Sequence, residues 1–186
     1  MDEHPAIVVR PAEMPDGEGI ASVHVQAWRE TYTGLIPEAV LSALSVSDRA
    51  TAWRSILRRA EQDKTAAVFV AASGGRIIGF ASGDVQRTPF LRDLGFTGEI
   101  GAIYILQAHQ RAGAGRALMA SVARALHSHG HQALSLWVLS SNLPAHRFYE
   151  TLCGRRVGDR EERRGDATLA EVAYGWQDLR PLLGRV

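Results

Sequence analysis

Tyr104-Ile-Leu-Gln-Ala-His-Gln110-Arg111-Ala112-Gly113-Ala114-Gly115-Arg116-Ala-Leu-Met-Ala120 is the stretch that organises this chain. An apolar, β-prone run ends at Leu106. A short polar loop follows, with two glycines one residue apart, and a helix-period pattern starts at once. This order sets main-chain N–H groups, uncovered by side chains at Gly113 and Gly115, at the first turn of a helix. Those groups have no internal partners, and the helix dipole favours negative charge there, so the turn suits a phosphate. A Gly-x-Gly pair also occurs where a loop merely turns. No Gly-Lys-Ser/Thr closes a Walker loop, and no third glycine completes a dinucleotide fingerprint. Gln110, Arg111 and Arg116 around the glycines favour a polyphosphate.

Working outward, Ile7 to Arg10 reads as a strand and Asp16 to Tyr32 as a helix with Ile20, Val23, Ala27 and Trp28 on one face. Gly34 and Pro37 end it. A short helix fits Pro37 to Leu44. A third helix runs from Asp48 to Gln62 behind a Ser47 cap. Thr65 to Ala72 and Arg76 to Val85 form a hairpin about Gly74-Gly75, and residues 86 to 97 read as loop. After the central strand and the glycine-loop helix come a strand from Ala133 to Leu139 and a helix from Asn142 to Leu152. Two closing strands lie near Arg155 to Arg163 and Thr168 to Trp176. The expectation is one domain over residues 1–186, in the α/β (α+β) class. It has a mixed, mostly antiparallel sheet of about seven strands with helices on both faces. The strand–helix–strand unit 99–139 predicts a parallel pair with a right-handed crossover.

Gln110-x-x-Gly113-x-Gly115 resembles the acyl-CoA pyrophosphate loop of the GNAT superfamily of N-acetyltransferases. Gly98-Glu-Ile-Gly-Ala-Ile-Tyr-Ile-Leu106 is similar to that family's central strand. Leu136-Trp-Val-Leu139 with Asn142-x-x-Ala145-x-x-Phe148-Tyr149-x-x-x-Cys153-Gly154 is similar to its next strand and helix. The resemblance is sharpest over residues 98–158 and implies a parallel pair that splays to admit the pantetheine arm of acetyl-CoA. It implies cofactor contacts from Ile103, Ile105, Leu106, Gln110, Arg111, Ala112, Gly113, Ala114, Gly115, Arg116 and Asn142. The oxyanion donor would be the N–H of Ile105 or Leu106, the general acid Tyr149 and the general base Glu99. Each has a plainer reading: a packing aromatic at Tyr149, an exposed strand-end carboxylate at Glu99, a helix N-cap at Asn142, solubilising charge at Arg111 and Arg116. Trp28-Arg-Glu-Thr-Tyr32-x-Gly34-x-Ile-Pro37 resembles a pattern of bacterial-type members. It offers Trp28, Glu30 and Tyr32 to the acceptor, with Trp28 equally suited to the core. The 86–97 segment, with Phe90 and Phe96, is either a lid or a surface excursion.

The resemblance implies an acetyl-CoA-dependent transfer to a primary amine of a small molecule or protein by direct attack. The alternative is a non-catalytic acyl-CoA-binding sensor. Dimerisation is a family habit. Composition narrows the rest. Lys and Arg number 21 against 20 Asp and Glu in 186 residues, so no basic footprint for nucleic acid exists. Arg155, Arg156, Arg160, Arg163 and Arg164 are interleaved with Asp159, Glu161, Glu162 and Asp166, a solvated hairpin rim. The N-terminus shows no signal segment and no run is long enough to span a bilayer, so the expectation is a cytoplasmic protein. The single cysteine, Cys153, excludes an intrachain disulfide and reads as a buried packing thiol. His127-x-His129-x-His131 reads as a helix C-terminus capped by Gly130 rather than a metal site. No metal is expected.

Overall fold

The computed structural model describes residues 5–184 apart from Lys64, Gly165 and Asp166. The N-terminal segment read for a signal, and Asp166 of the charged rim, lie outside the described residues. Seven strands form one sheet: β1 (Val8–Pro11), β2 (Ala67–Ser73), β3 (Arg76–Val85), β4 (Gly98–Ile105), β5 (Leu134–Leu139), β6 (Arg155–Arg164) and β7 (Ala167–Trp176). Their order is β1-β2-β3-β4-β5-β7-β6. Every neighbouring pair is antiparallel except β4 and β5. That parallel pair meets only at Gly98–Leu134 and Glu99–Ser135. β5 nevertheless stays paired with β7 through Leu139–Glu171. Beyond Glu99 the two strands therefore part, which is the splay the resemblance implies.

Among the described residues seven α-helices accompany the sheet: α1 (Gly17–Tyr32), α2 (Glu38–Ser42), α3 (Val46–Asp63), α4 (Pro89–Asp93), α5 (Ala114–Ser128), α6 (Leu143–Thr151) and α7 (Arg180–Leu183). α5 buries Leu118, Met119, Val122 and Leu126 against Ala81, Ile100, Leu134 and Leu136 of the sheet. Each such Leu or Met, fully buried, contributes about 1.5–3 kcal/mol. On the other face, Ile20, Val23, Trp53 and Leu57 of α1 and α3 close over Val68, Val70 and Phe80. Alternation from residue 102 onward sets Ile103 and Ile105 towards α5 and Ala102, Tyr104 and Leu106 towards α1, while a bulge opposite Ser82–Gly83 shifts the phase so that Ile100 also faces α5.

Three local expectations change. Ser45, not Ser47, serves the start of α3, its Oγ accepting the Asp48 N–H at 3.3 Å. The 86–97 segment contains α4, and its Phe96 is core, buried with Leu91, Ala133 and Ala173. Cys153 is exposed, not packed. It follows α6 in a left-handed conformation (φ 62°), which turns its side chain outward while Leu152 takes the buried position. A non-glycine residue pays about 1–2 kcal/mol in that region. Cys153→Gly relieves this cost, partly offset by the entropy of glycine in the unfolded chain, so a gain of about 0.5–1 kcal/mol is expected. The melting temperature then rises by about 1–4 °C. An unchanged or lower value in a thermal scan would show that the turn carries no such strain.

Candidate active site

The loop between β4 and α5 is built from strained backbone. Arg111 (φ 61°) and Gly113 (φ 86°) are both left-handed, and Gly113 is the N-cap of α5. Alternation of this kind turns successive N–H groups to one side and forms an anion nest. Among the described residues, no group accepts the main-chain N–H of Arg111 through Arg116; the next, on Ala117, bonds to Gly113 O at 3.1 Å. The two glycines serve different ends. A Cβ on Gly113 would meet open space, so glycine is there for its φ. A Cβ on Gly115 would lie 3.1 Å from Phe148 Cζ and 3.3 Å from Ile105 Cδ1, so glycine is there to let α5 approach α6 and β4. Gln110 ties the loop to the strand, its side-chain amide donating to Ile105 O at 3.1 Å. Arg111 and Arg116 are exposed at its rim.

The splay opens beside this loop. Leu106 N–H is spent on Ile78 O of β3 at 2.9 Å. Main-chain groups alternate sides along a strand, so the N–H groups of Ile103 and Ile105 point away from β3, into the gap towards β5. Leu106 is therefore corrected: its amide is not available as the oxyanion donor, and Ile105 offers the one that faces the gap. On the far side, Asn142 caps α6 just past the end of β5, its Oδ1 accepting the Ala145 N–H at 3.3 Å. Tyr149 lies two turns further along α6, 6 % exposed, with its ring against Tyr174 and Trp176. Burial first, and the Tyr104 phenol second, push its hydroxyl well above the ordinary phenol range. It stays a proton donor at any working pH. A separate groove of about 470 Å³ lies against His129 at the other end of α5, between Met14, Leu57 and Phe69, and takes no part in this arrangement.

The profile of the Acetyltransferase (GNAT) family matches residues 26–154. The chain belongs to this family. It is 37% identical over 177 residues to the uncharacterized N-acetyltransferase YuaI of Bacillus subtilis (strain 168), covering 95% of this chain and 96% of that one. Two solved structures share the fold at low identity. The yncA acetyltransferase of Salmonella typhimurium, with its cofactor acetyl-CoA, has a TM-score of 0.69, 18% identity, and coverage of 97% and 96%. The paia N-acetyltransferase of Thermoplasma acidophilum, in complex with coenzyme A, has a TM-score of 0.67, 16% identity, and coverage of 90% and 98%. As a member of this family the protein is an acetyltransferase, and acetyl-CoA fits as its cosubstrate. Its sequence carries the residues that would hold that cosubstrate: the unpartnered amides of 111–116 suit a diphosphate, and the Ile103 amide suits an amide-bearing arm.

The residues that the sequence offers to the acceptor lie on the opposite face of the sheet. Trp28 and Tyr32 of α1 are buried with Ile36, Leu41, Leu139 and Leu169. Tyr32 and Tyr104 hydroxyls meet at 3.1 Å, and His24 stacks on Tyr104 at 5.3 Å. Tyr104 thus joins Trp28 and Tyr32 on this face, a neighbour that sequence reasoning missed although its alternation with Ile103 and Ile105 places it here. Glu30 is exposed and ties α1 to the end of β4 by accepting the Gln107 N–H at 2.7 Å. Glu99 is also on this face, but it is neither exposed nor free. Both its oxygens accept from Arg87: the main-chain N–H and Nε–H at 3.1 Å, and Nη2–H at 2.9 Å. The bond to Glu99 in turn raises the Arg87 pKa. No group of metal-ligating side chains exists among the described residues. No helix among them is long and apolar enough to cross a membrane.

Proposed function

We propose that residues 1–186 act as one N-acetyltransferase domain that moves acetyl from acetyl-CoA to a primary amine by direct attack. The observation that carries this reading is the unpartnered amide nest at 111–116 at the end of the strand that parts from β5; the Ile105 N–H turned away from β3 and the buried Tyr149 phenol of α6 support it. The neutral amine adds to the thioester carbonyl from the α1 face. The oxyanion forms against the Ile105 N–H, a contact of a kind worth about 3–4 kcal/mol. The C–S bond breaks and the thiolate takes the Tyr149 proton. The proton left on the new amide nitrogen returns through water to the phenolate. Cys153 supports the absence of an acyl-enzyme. It follows Leu152 beside Gly154 and Trp176, and Trp176 pairs with Leu134 at the closed end of the β4–β5 pair.

Glu99 is buried and already accepts three hydrogen bonds from Arg87, so its role here is to hold Arg87 rather than to deprotonate the amine. The test is a thiol-release assay over a panel of amines, beside calorimetric titration with CoA, ATP and NAD. CoA alone should bind, and release should require an amine. In the same assay Glu99→Gln should lower kcat/KM without moving its rise with pH. A rise displaced to higher pH in that variant would restore Glu99 as the base. CoA affinity no better than that for ATP would remove the whole reading.

A further inference from the structure

Between the cover formed by α1 and α2 and the cover formed by residues 86–97, one strip of the α1 face carries no helix. Its floor is Gly101 of β4 and Trp137 of β5. Gly101 is exposed, and a Cβ there would meet nothing nearer than Arg87 Nη2 and Ser82 Oγ, both at 3.8 Å. Trp137 is half-buried, with its indole N–H on Thr88 Oγ1 at 3.2 Å. The strip adjoins the point where β4 and β5 part, so an acceptor lying on it meets the acetyl group.

Two arginines flank the strip in the same way. Arg87 lies side-on to Glu99 through Nε and Nη2. Arg160 of β6 lies side-on to Glu171 of β7, Nε at 2.8 Å and Nη2 at 2.7 Å, and its guanidinium covers the Trp137 ring at 4.2 Å. A side-on pair uses one edge of the fork and leaves the Nη1 edge over. Neither Nη1 donates to any described group. Exposure decides which charge a ligand meets. The Glu99 and Glu171 side chains are 8% and 6% exposed, beneath Arg87 and Arg160 at 76% and 32%. Glu162, 41% exposed, forms a longer ion pair with Arg160, its carboxylate 3.8 Å from Nε and beyond hydrogen-bond reach, so it leaves the Nη1 edge open.

We propose that the acceptor is a primary amine that also carries a carboxylate, with the Nη1 edges of Arg87 and Arg160 as its anchors and Trp137 as the floor beneath it. The buried glutamates hold the two forks in place before the acceptor arrives, so little side-chain entropy is lost on binding. This rests on the transfer reading above but names what that reading leaves open.

The experiment uses matched triplets: an α-amino acid, its amide and the decarboxylated amine. Each is assayed for acetyl-CoA-dependent thiol release and titrated calorimetrically into the CoA-loaded protein. The acids should exceed the other two at least about tenfold in kcat/KM, the scale of one charge-assisted contact. Arg87→Gln should erase most of that preference, through a raised KM for the acids. Arg160→Lys keeps a cation over the buried Glu171 but removes the Nη1 edge, and should act likewise. Unchanged CoA affinity shows that both variants are folded. Acids that neither bind nor react better than their amides overturn the assignment, as does a preference that survives both variants. Acids that bind selectively without thiol release leave the anchors standing and remove the transfer reading instead.

Discussion

Replacing Tyr149 with phenylalanine lowers kcat by about 100-fold or more and leaves CoA affinity within about twofold. The substitution removes one oxygen and nothing else. The ring keeps its neighbours Phe148, Tyr174 and Trp176. The hydroxyl bonds to none of the described residues, so its loss leaves no partner unsatisfied and the fold keeps its stability. In the proposed reaction, what disappears is the proton that meets the departing thiolate. The pH profile gives a second check, with its sign set by the raised phenol pKa. A raised pKa keeps the acid form through and beyond the ordinary phenol range, so no descending limb below about pH 10 belongs to Tyr149. Activity should climb with pH as the acceptor amine loses its proton. Turnover of Tyr149→Phe equal to wild type on a saturating acceptor would take the phenol out of the reaction.

Gly113→Glu should weaken CoA binding by about 100-fold or more, a loss of about 2.7 kcal/mol. Two effects add. Any side chain at φ 86° pays for the left-handed conformation on which the nest depends. The carboxylate then stands among the unpartnered amides of 111–116, where it competes with and repels a diphosphate. Gly113→Ala separates the two, since its Cβ meets open space and only the backbone cost remains. Alanine should therefore bind CoA more tightly than glutamate at this position. Calorimetry on both variants decides it; glutamate within tenfold of wild type would place the diphosphate elsewhere.

Much of the frame was legible because it depends on local order. The β4-loop-α5 transition, the Gly74-Gly75 hairpin and the Asn142 cap each follow from a few adjacent residues whose conformational preferences agree. The site's finer assignments were not legible, because their causes lie far along the chain. Glu99 reads as an exposed strand end until Arg87, 12 residues earlier, is folded onto it. Gly115 looks like a second phosphate glycine until Phe148 is found against it. Cys153 continues the apolar spacing of α6 by number, but its left-handed backbone breaks the helical period at that residue.

By itself the amino-acid order determined that a strand must deliver its amides to a glycine loop at a helix N-terminus, and that a tyrosine helix follows the next strand. Neighbouring residues decide such things through φ preferences and apolar spacing. Only the tertiary structure decided which amide faces the gap, which carboxylates are covered and which guanidinium edges remain open. Those depend on strand register and on side chains meeting across the sheet, as Arg160, Trp137 and Glu171 do from three different strands. No local pattern encodes a contact whose partners are brought together only when the sheet closes.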